Sequence, residues 1–402
     1  MAGKKITNST VWIPLWHIYQ PPHQSKYWVE KIAKESYEQI IQIYKKHPNA
    51  KFILNINASL TLLFKKYKLD HIIEGIKELA KKGQCEFVST LAYHPIAPLI
   101  PEREITRQIK LNDKIHKEIF GDAYNPTGVW LPEMAYAKKV IRPIAKLGYK
   151  WISLAGVASN GTWTNTGYTY VKQGNFKLNV LFRDDSVSLD IAFGKTGNFI
   201  NLLKGRKGKF VFTTVDGETI GHHQKHLVNA LDSWLTVIDK DETLTTMDSK
   251  ELFESFKCKS ESLALPSSWS TTYQDILSGN FYPLWLEQNQ EPYKTAHKLA
   301  WDHLYNLMAA VKEVEKSLPQ TKIAQFEEVR NLLDNCLFSC SYWWFTREKS
   351  HTNVPMFLSN IDMQGRAMRM LLEIKNHEKI HDYAEQNEEV REKIFELLNN
   401  YS

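Results

Sequence analysis

No run of about eighteen apolar residues occurs in this 402-residue chain, so the sequence offers no membrane-crossing helix. The N-terminal stretch "MAGKKITNST" lacks the apolar core of an export leader, and the expectation is a cytoplasmic chain with no membrane partner. Cysteine is scarce. The four present (Cys85, Cys258, Cys336 and Cys340) show no CxxC spacing, so buried free thiols are expected rather than disulfides or a thiolate metal site. Charge of one sign is scarce as well: the net charge is +6, and the lysines are spread along the chain. The cluster "KGRKGK" (Lys204 to Lys209) reads as a turn. A nucleic-acid surface needs basic residues gathered on one face, and none is expected here. Internal repeats and low-complexity segments are absent.

Aromatic residues are plentiful, with 12 tryptophans, 18 tyrosines and 18 phenylalanines. Such faces are the usual platform for the apolar faces of sugar rings, although large cores use them too. Over the first 220 residues, β-rich runs alternate with helical patterns. "VWIPLWH" precedes an amphipathic stretch near 27–46, and "KFILNIN" a helix near 69–82. "CEFVST" precedes a helix near 102–120, and "TGVWLPE" one near 137–147. "KWISLAG", "NVLFRDD", "SLDIAF" and "KFVFTTVDGE" read as further strands. This rhythm argues for α/β architecture, either a parallel barrel or a doubly wound sheet. His17, His94, Glu133, Asp184 and Asp216 each fall at or just past the end of an apolar strand. In a barrel those ends converge on one face, which favours the barrel. Beyond a Ser/Thr-rich loop, "LPSSWSTTYQDILSGNFYPLW", the periodicity becomes helical. The expected division is a catalytic barrel over 1–265 and a loop plus C-terminal helical bundle over 266–402.

Cleaving a glycosidic bond takes two carboxyl groups flanking it. Glu133, in "GVWLPEMAY", and Asp216, in "VDGETIGHH", form the best pair. Each ends a strand beside a residue with special backbone chemistry, Pro132 in one case and Gly217 in the other. Each also has a plainer explanation: Glu133 as a charge at the start of the following helix, Asp216 as one half of an Asp-Gly turn. Glu218 is placed to approach the same site. His222 and His226 are four apart in "GHHQKH", a helical spacing compatible with zinc, but no HExxH and no third ligand accompany them. Neither metal nor cofactor is expected.

Together, "HIYQPP", "AYHPIAPLIP", "GVWLPEMAY" and "VDGETIGHH", in this order, resemble the motifs of glycoside hydrolase family 57. That family comprises α-amylases, 4-α-glucanotransferases and α-glucan branching enzymes. The similarity extends from about residue 11 to the end, including the "SWST" to "GNFYPLW" loop and "SYWWF". "WLPEMAY" is its most specific element. The resemblance implies an incomplete (β/α)7 barrel with an attached helical region and metal-independent, retaining catalysis. It puts the nucleophile on Glu133 and the acid/base on Asp216, with His17 and His94 lining the sugar subsite and Trp130 as a platform. Trp343 and Trp344 match its helix-borne aromatic pair. Gln20, Arg183, Glu218 and His222 complete the expected substrate-binding set. Two features depart from the commonest pattern: Ile18 and Tyr19 separate His17 from Gln20-Pro21, and Ser341-Tyr342 stand where an acidic residue is frequent.

The expectation is therefore an α-amylase-type hydrolase of α-1,4-linked glucans. The chain length, which leaves no room for the large β-domain of the glucanotransferases, favours hydrolysis over the runner-up, glucanotransfer or branching. Two other classes compete: a metal-dependent polysaccharide deacetylase, and a glucan-binding protein without turnover. Oligomeric state is not legible.

Overall fold

The computed structural model describes residues 9–346 and 352–399. The extreme N-terminus, on which the expectation of no leader rests, lies outside them. The chain forms two compact units, Met1–Trp269 and Ser270–Ser402.

The first unit carries ten strands among its described residues: β1 Thr10–Ile18, β2 Phe52–Ile56, β3 Cys85–Val88, β4 Gly128–Trp130, β5 Trp151–Leu154, β6 Tyr168–Gln173, β7 Phe176–Phe182, β8 Phe210–Asp216, β9 Leu244–Thr246 and β10 Cys258–Glu261. Parallel ladders join β3-β2-β1-β8 in one sheet and β7-β5-β4 in the other. The two meet at a parallel bridge between Ser89 and Val129. At the opposite seam a single bond, Asp184 N to Phe212 O at 2.8 Å, ties the end of β7 to β8. A longer ladder cannot form there, because β6 pairs antiparallel along the same edge of β7. The result is a seven-stranded parallel barrel that does not close.

The strands obey a two-residue parity. Along β1, Val11, Ile13 and Leu15 belong to the cluster inside the barrel, with Ile53, Phe210 and Phe212. The alternate residues Trp12, Trp16 and Ile18 join the outer cluster with helix residues such as Tyr37, Leu231 and Trp234. Both faces are buried, so the strand reads as continuously apolar, and each large side chain removed from water contributes about 1.5–3 kcal/mol. The inward column ends in a polar residue on each of three neighbouring strands. Val11-Ile13-Leu15 leads to His17, Ile53 to Asn55, and Phe210-Phe212 to Asp216. Register puts His17 directly opposite Asn55 on one side and Asp216 on the other.

Two expectations change. "SLDIAF" is not a strand but part of the helix Asp185–Ala192, started by the Asp184 side chain accepting from Val187 N at 3.2 Å. "GHHQKH" is a turn, and the helix begins only at Leu227. The amphipathic stretch near 27–46 is helical but interrupted: Lys26–Ile32 and Glu38–Lys46 flank a π-helical turn, Ala33–Tyr37. In the second unit the long helices are Tyr293–Glu315, Ile323–Cys336, Val354–Ile374 and Glu378–Asn399. No helix among the described residues is long and apolar enough to cross a membrane.

Candidate active site

Glu133 owes its position to a tight turn. Met134 N bonds Leu131 O at 2.7 Å, leaving Pro132 and Glu133 at the two central positions. Pro132 supplies a pre-set φ, and Glu133 takes φ +58°, a left-handed conformation that ordinarily selects glycine or asparagine. His94 (φ +61°) and Met134 (φ +49°) are left-handed too, so three of the five such non-glycine residues described sit here. Each costs on the order of 1–2 kcal/mol. Strain concentrated in this way marks a place where side-chain direction matters more than backbone comfort. The plainer explanation of Glu133 fails: it caps no helix, and the next regular one starts at Ile141.

Trp269 holds the Glu133 side chain. Its indole N–H donates to Glu133 Oε2 at 2.8 Å, and its backbone N bonds Glu133 O at 3.0 Å. The segment is stapled by reciprocal bonds between Tyr136 and Ser267. The guanidinium of Arg183 lies over the Trp269 ring, 5.5 Å from its centroid. Arg183 is itself fixed by Nε donating to Thr214 O at 2.9 Å and Nη1 to Asp185 Oδ1 at 3.1 Å.

The histidines form a chain behind the carboxylate. His94 Nδ1 stands 3.8 Å from Glu133 Oε1, and His94 Nε2 is 3.2 Å from His17 Nε2. His17 Nδ1 is 2.6 Å from Asn55 Oδ1. Burial holds His17 down to about pKa 3 and His94 well below its ordinary value, so both rings are neutral. With Asn55 Oδ1 as acceptor, His17 carries its proton on Nδ1 and accepts on Nε2 from His94. Both nitrogens of His17 are therefore engaged within the protein. Trp130 is fully buried and stacks on His17 with centroids 4.1 Å apart. One of its faces supports that imidazole instead of lying open to a sugar. Tyr19 stacks on His94 at 3.9 Å.

Asp216 ends β8 half-buried, and among the described residues nothing hydrogen-bonds its carboxyl group. Burial pushes its pKa upward, against the nearby Arg183 cation. Burial pushes Glu133 up to about 8, with the Asp216 charge adding and the Trp269 donor opposing. The two carboxyl groups thus sense one another in poorly solvated surroundings. Glu218 is raised by burial and by Asp216. Its Oε1 accepts from Tyr37 Oη, from Tyr19 N at 3.1 Å and from Gln20 Nε2 at 3.2 Å.

The fold therefore brings together Glu133, Asp216, His17, His94, Trp130, Arg183, Glu218 and Gln20. His222 pairs with Glu35 at 2.6 Å, and His226 Nε2 bonds Gly194 O at 2.9 Å, so the two turn to different partners. Trp343 and Trp344 belong to the second unit, half-buried on and beside the short helix Cys340–Trp343. Trp269, Asn55 and Tyr19 were not singled out from sequence. Asn55 had a signal, as a polar residue at the inward parity of "KFILNIN". So did Trp269, the one tryptophan in its Ser/Thr-rich stretch "SSWSTT".

The sequence pattern of glycosyl hydrolase family 57 matches residues 10–265. An α-amylase of Dictyoglomus thermophilum is 29% identical over 214 residues, which cover 51% of this chain and 31% of that relative. The chain thus spans about a third of that curated relative's length. The 4-α-glucanotransferase of Thermococcus litoralis superposes with a TM-score of 0.74 at 17% identity, over 90% of this chain and 60% of its own. The branching enzyme of Pyrococcus horikoshii superposes with a TM-score of 0.72 at 12% identity, over 94% of each chain. At these identities the structural likeness is one of fold. The last match also removes chain length as an argument against branching.

Proposed function

The chain belongs to glycosyl hydrolase family 57, and on that premise we propose that it is a retaining hydrolase of α-1,4-linked glucans, with Glu133 as nucleophile and Asp216 as acid/base. One observation carries this reading: two carboxyl groups from separate strand ends flank one pair of joined histidines, Asp216 opposite His17 in register and Glu133 3.8 Å from His94, each with its own charge-stabilising partner, Trp269 for Glu133 and Arg183 for Asp216. Glu133 attacks the anomeric carbon while Asp216 donates its proton to the leaving oxygen, giving a covalent glycosyl-enzyme. Asp216 then takes a proton from water, whose oxygen displaces Glu133.

Near neutral pH such a pair holds a single proton. Before substrate binds, the high pKa of Glu133, about 8, draws it there. The reaction needs it on Asp216. Positive charge developing at the anomeric carbon beside Glu133 favours its ionised form and drives the proton across. The remaining proposed roles are contacts to the glucan by Gln20, His94 and Arg183.

Transfer to a sugar hydroxyl is the second reading, favoured by the glucanotransferase and branching-enzyme names of the structural relatives. Product analysis on maltoheptaose and amylose separates the two. Shorter reducing sugars, abolished in Glu133→Gln and indifferent to chelator, support hydrolysis. Longer products beside shorter ones move the assignment to transfer. No change in any α-glucan sinks both.

A further inference from the structure

The inward column of β2 ends in an amide. Asn55 is fully buried there, opposite His17 in the register of β1 and β2. Its side chain makes one hydrogen bond among the described residues, from Oδ1 to His17 Nδ1, while its Nδ2 is buried without a partner. A half-satisfied amide in the barrel interior costs stability that an apolar residue of similar volume would not. What Asn55 offers in return is its effect on His17.

That effect is one of direction. The two ends of an amide have opposite hydrogen-bonding sense, and the 2.6 Å contact to His17 Nδ1 suits an oxygen, being short even for N–H···O. His17 and His94 are buried and neutral, so each ring carries one proton. His17 gives its proton on Nδ1 to Asn55, which leaves Nε2 an acceptor. His94 Nε2, 3.2 Å away, is then the donor, and the bare lone pair of His94 falls on Nδ1. A ring turned over would put carbon where a nitrogen now bonds, so the chain can reverse only by moving its protons.

The chain ends at the nucleophile. Trp269 donates to Glu133 Oε2 at 2.8 Å, whereas Oε1 accepts no hydrogen bond among the described residues and stands 3.8 Å from His94 Nδ1. An N–H directed at Oε1 would engage the lone pair that attack on the anomeric carbon requires. A bare nitrogen leaves it available. The same direction suits the enzyme before substrate binds, when Glu133 holds a proton, because an O–H then meets an acceptor and not a second donor.

We propose that Asn55 is a positioning residue for the nucleophile: by accepting from His17 it fixes the direction of the two-histidine chain, so that His94 turns a lone pair, and not an N–H, toward Oε1 of Glu133. This rests on the assignment of Glu133 as nucleophile. Asn55→Leu removes the acceptor and would leave the His17 Nδ1 proton buried without a partner. Moving the proton of each ring to its other nitrogen relieves this. His17 Nε2 then donates to His94 Nε2, and His94 Nδ1 points its proton at Glu133.

The test uses the full chain with 15N-labelled histidine. Ring-nitrogen shifts report which nitrogen of each ring is protonated, assigned by the signals lost in His17→Gln and His94→Gln. In the unaltered protein the protons are expected on Nδ1 of His17 and Nε2 of His94; the opposite positions overturn the proposal without any further variant. In Asn55→Leu both protons are expected to move, with kcat on maltoheptaose at least about tenfold lower. Protons that stay in place while kcat and Tm fall mark a merely structural amide and overturn the proposal. So do protons that move with kcat unchanged. If the unaltered chain turns over no α-glycoside, the hydrolase assignment falls, while the ring nitrogens still decide whether Asn55 sets the direction of the chain.

Discussion

The indole N–H of Trp269 donates to Oε2 of Glu133 at 2.8 Å, joining two residues 136 positions apart. The donor favours the ionised carboxylate, the form a nucleophile needs. Trp269→Phe keeps a ring for Arg183 to lie over and removes only the N–H. A hydrogen bond to a charged group contributes about 1.5–3 kcal/mol, so kcat is expected to fall roughly tenfold to a hundredfold. The acid limb, where Glu133 loses its proton, moves to higher pH. A pH profile of kcat, which reports the substrate complex, checks this; an unmoved acid limb would show that the bond does not serve the charge.

Stability and activity oppose each other at Glu133. A carboxyl whose folded pKa lies above its ordinary value binds its proton more tightly in the folded state, so stability falls as pH rises from 4.5 to about 8. Glu133→Gln keeps an acceptor for Trp269 and has no charge to desolvate. The variant is expected to be inactive yet more stable than the parent at pH 8, by about 2 kcal/mol after allowance for partial exposure. The gain should vanish near pH 4. Thermal unfolding at the two pH values measures it.

The family resemblance implies Trp130 as a sugar platform beside Glu133; in the structure it is fully buried and stacked under His17. Trp130→Phe keeps an aromatic face for the imidazole. KM for maltoheptaose should change by less than about threefold, whereas loss of a sugar-stacking face, at about 1–2 kcal/mol, would raise it more. Trp130→Ala opens a cavity in the barrel interior and should cost about 3–5 kcal/mol of stability. KM and Tm on the two variants distinguish support from platform.

What the sequence made legible follows from locality. Strand parity and the polar residue ending each inward column lie within a few residues of one another, so the barrel could be read, with Glu133 and Asp216 as candidates at its strand ends. "SLDIAF" misled because its apolar spacing suits a strand or a short helix, and the deciding cap, Asp184, is itself held by Arg206, twenty-two residues away. Trp269 and Tyr37 were harder still. Each donates to a carboxyl group more than a hundred residues distant, and the stretch "SSWSTT" marks Trp269 without naming its partner, while nothing local marks Tyr37. The open seam between β7 and β8 likewise depends on which edge β6 chooses, a competition between pairings that composition does not resolve.

Gly221 tests how rigid the support behind Asp216 is. It has φ +97°, and an added Cβ would lie 2.0 Å from the Glu35 carbonyl oxygen. Gly83, at φ +74° with nothing within 4 Å of its would-be Cβ, provides the control, since alanine there meets only the backbone penalty. That penalty is about 1–2 kcal/mol. Gly221→Ala adds a clash between backbones that no side-chain rotation relieves, so it should cost at least about 2 kcal/mol more than Gly83→Ala. It should also push the Asp216 turn off the Ala33–Tyr37 turn and so lower kcat on maltoheptaose. Gly83→Ala should leave kcat in place. Equal losses of Tm in the two variants would mean that the turn yields freely, and a support that yields cannot be what positions Asp216.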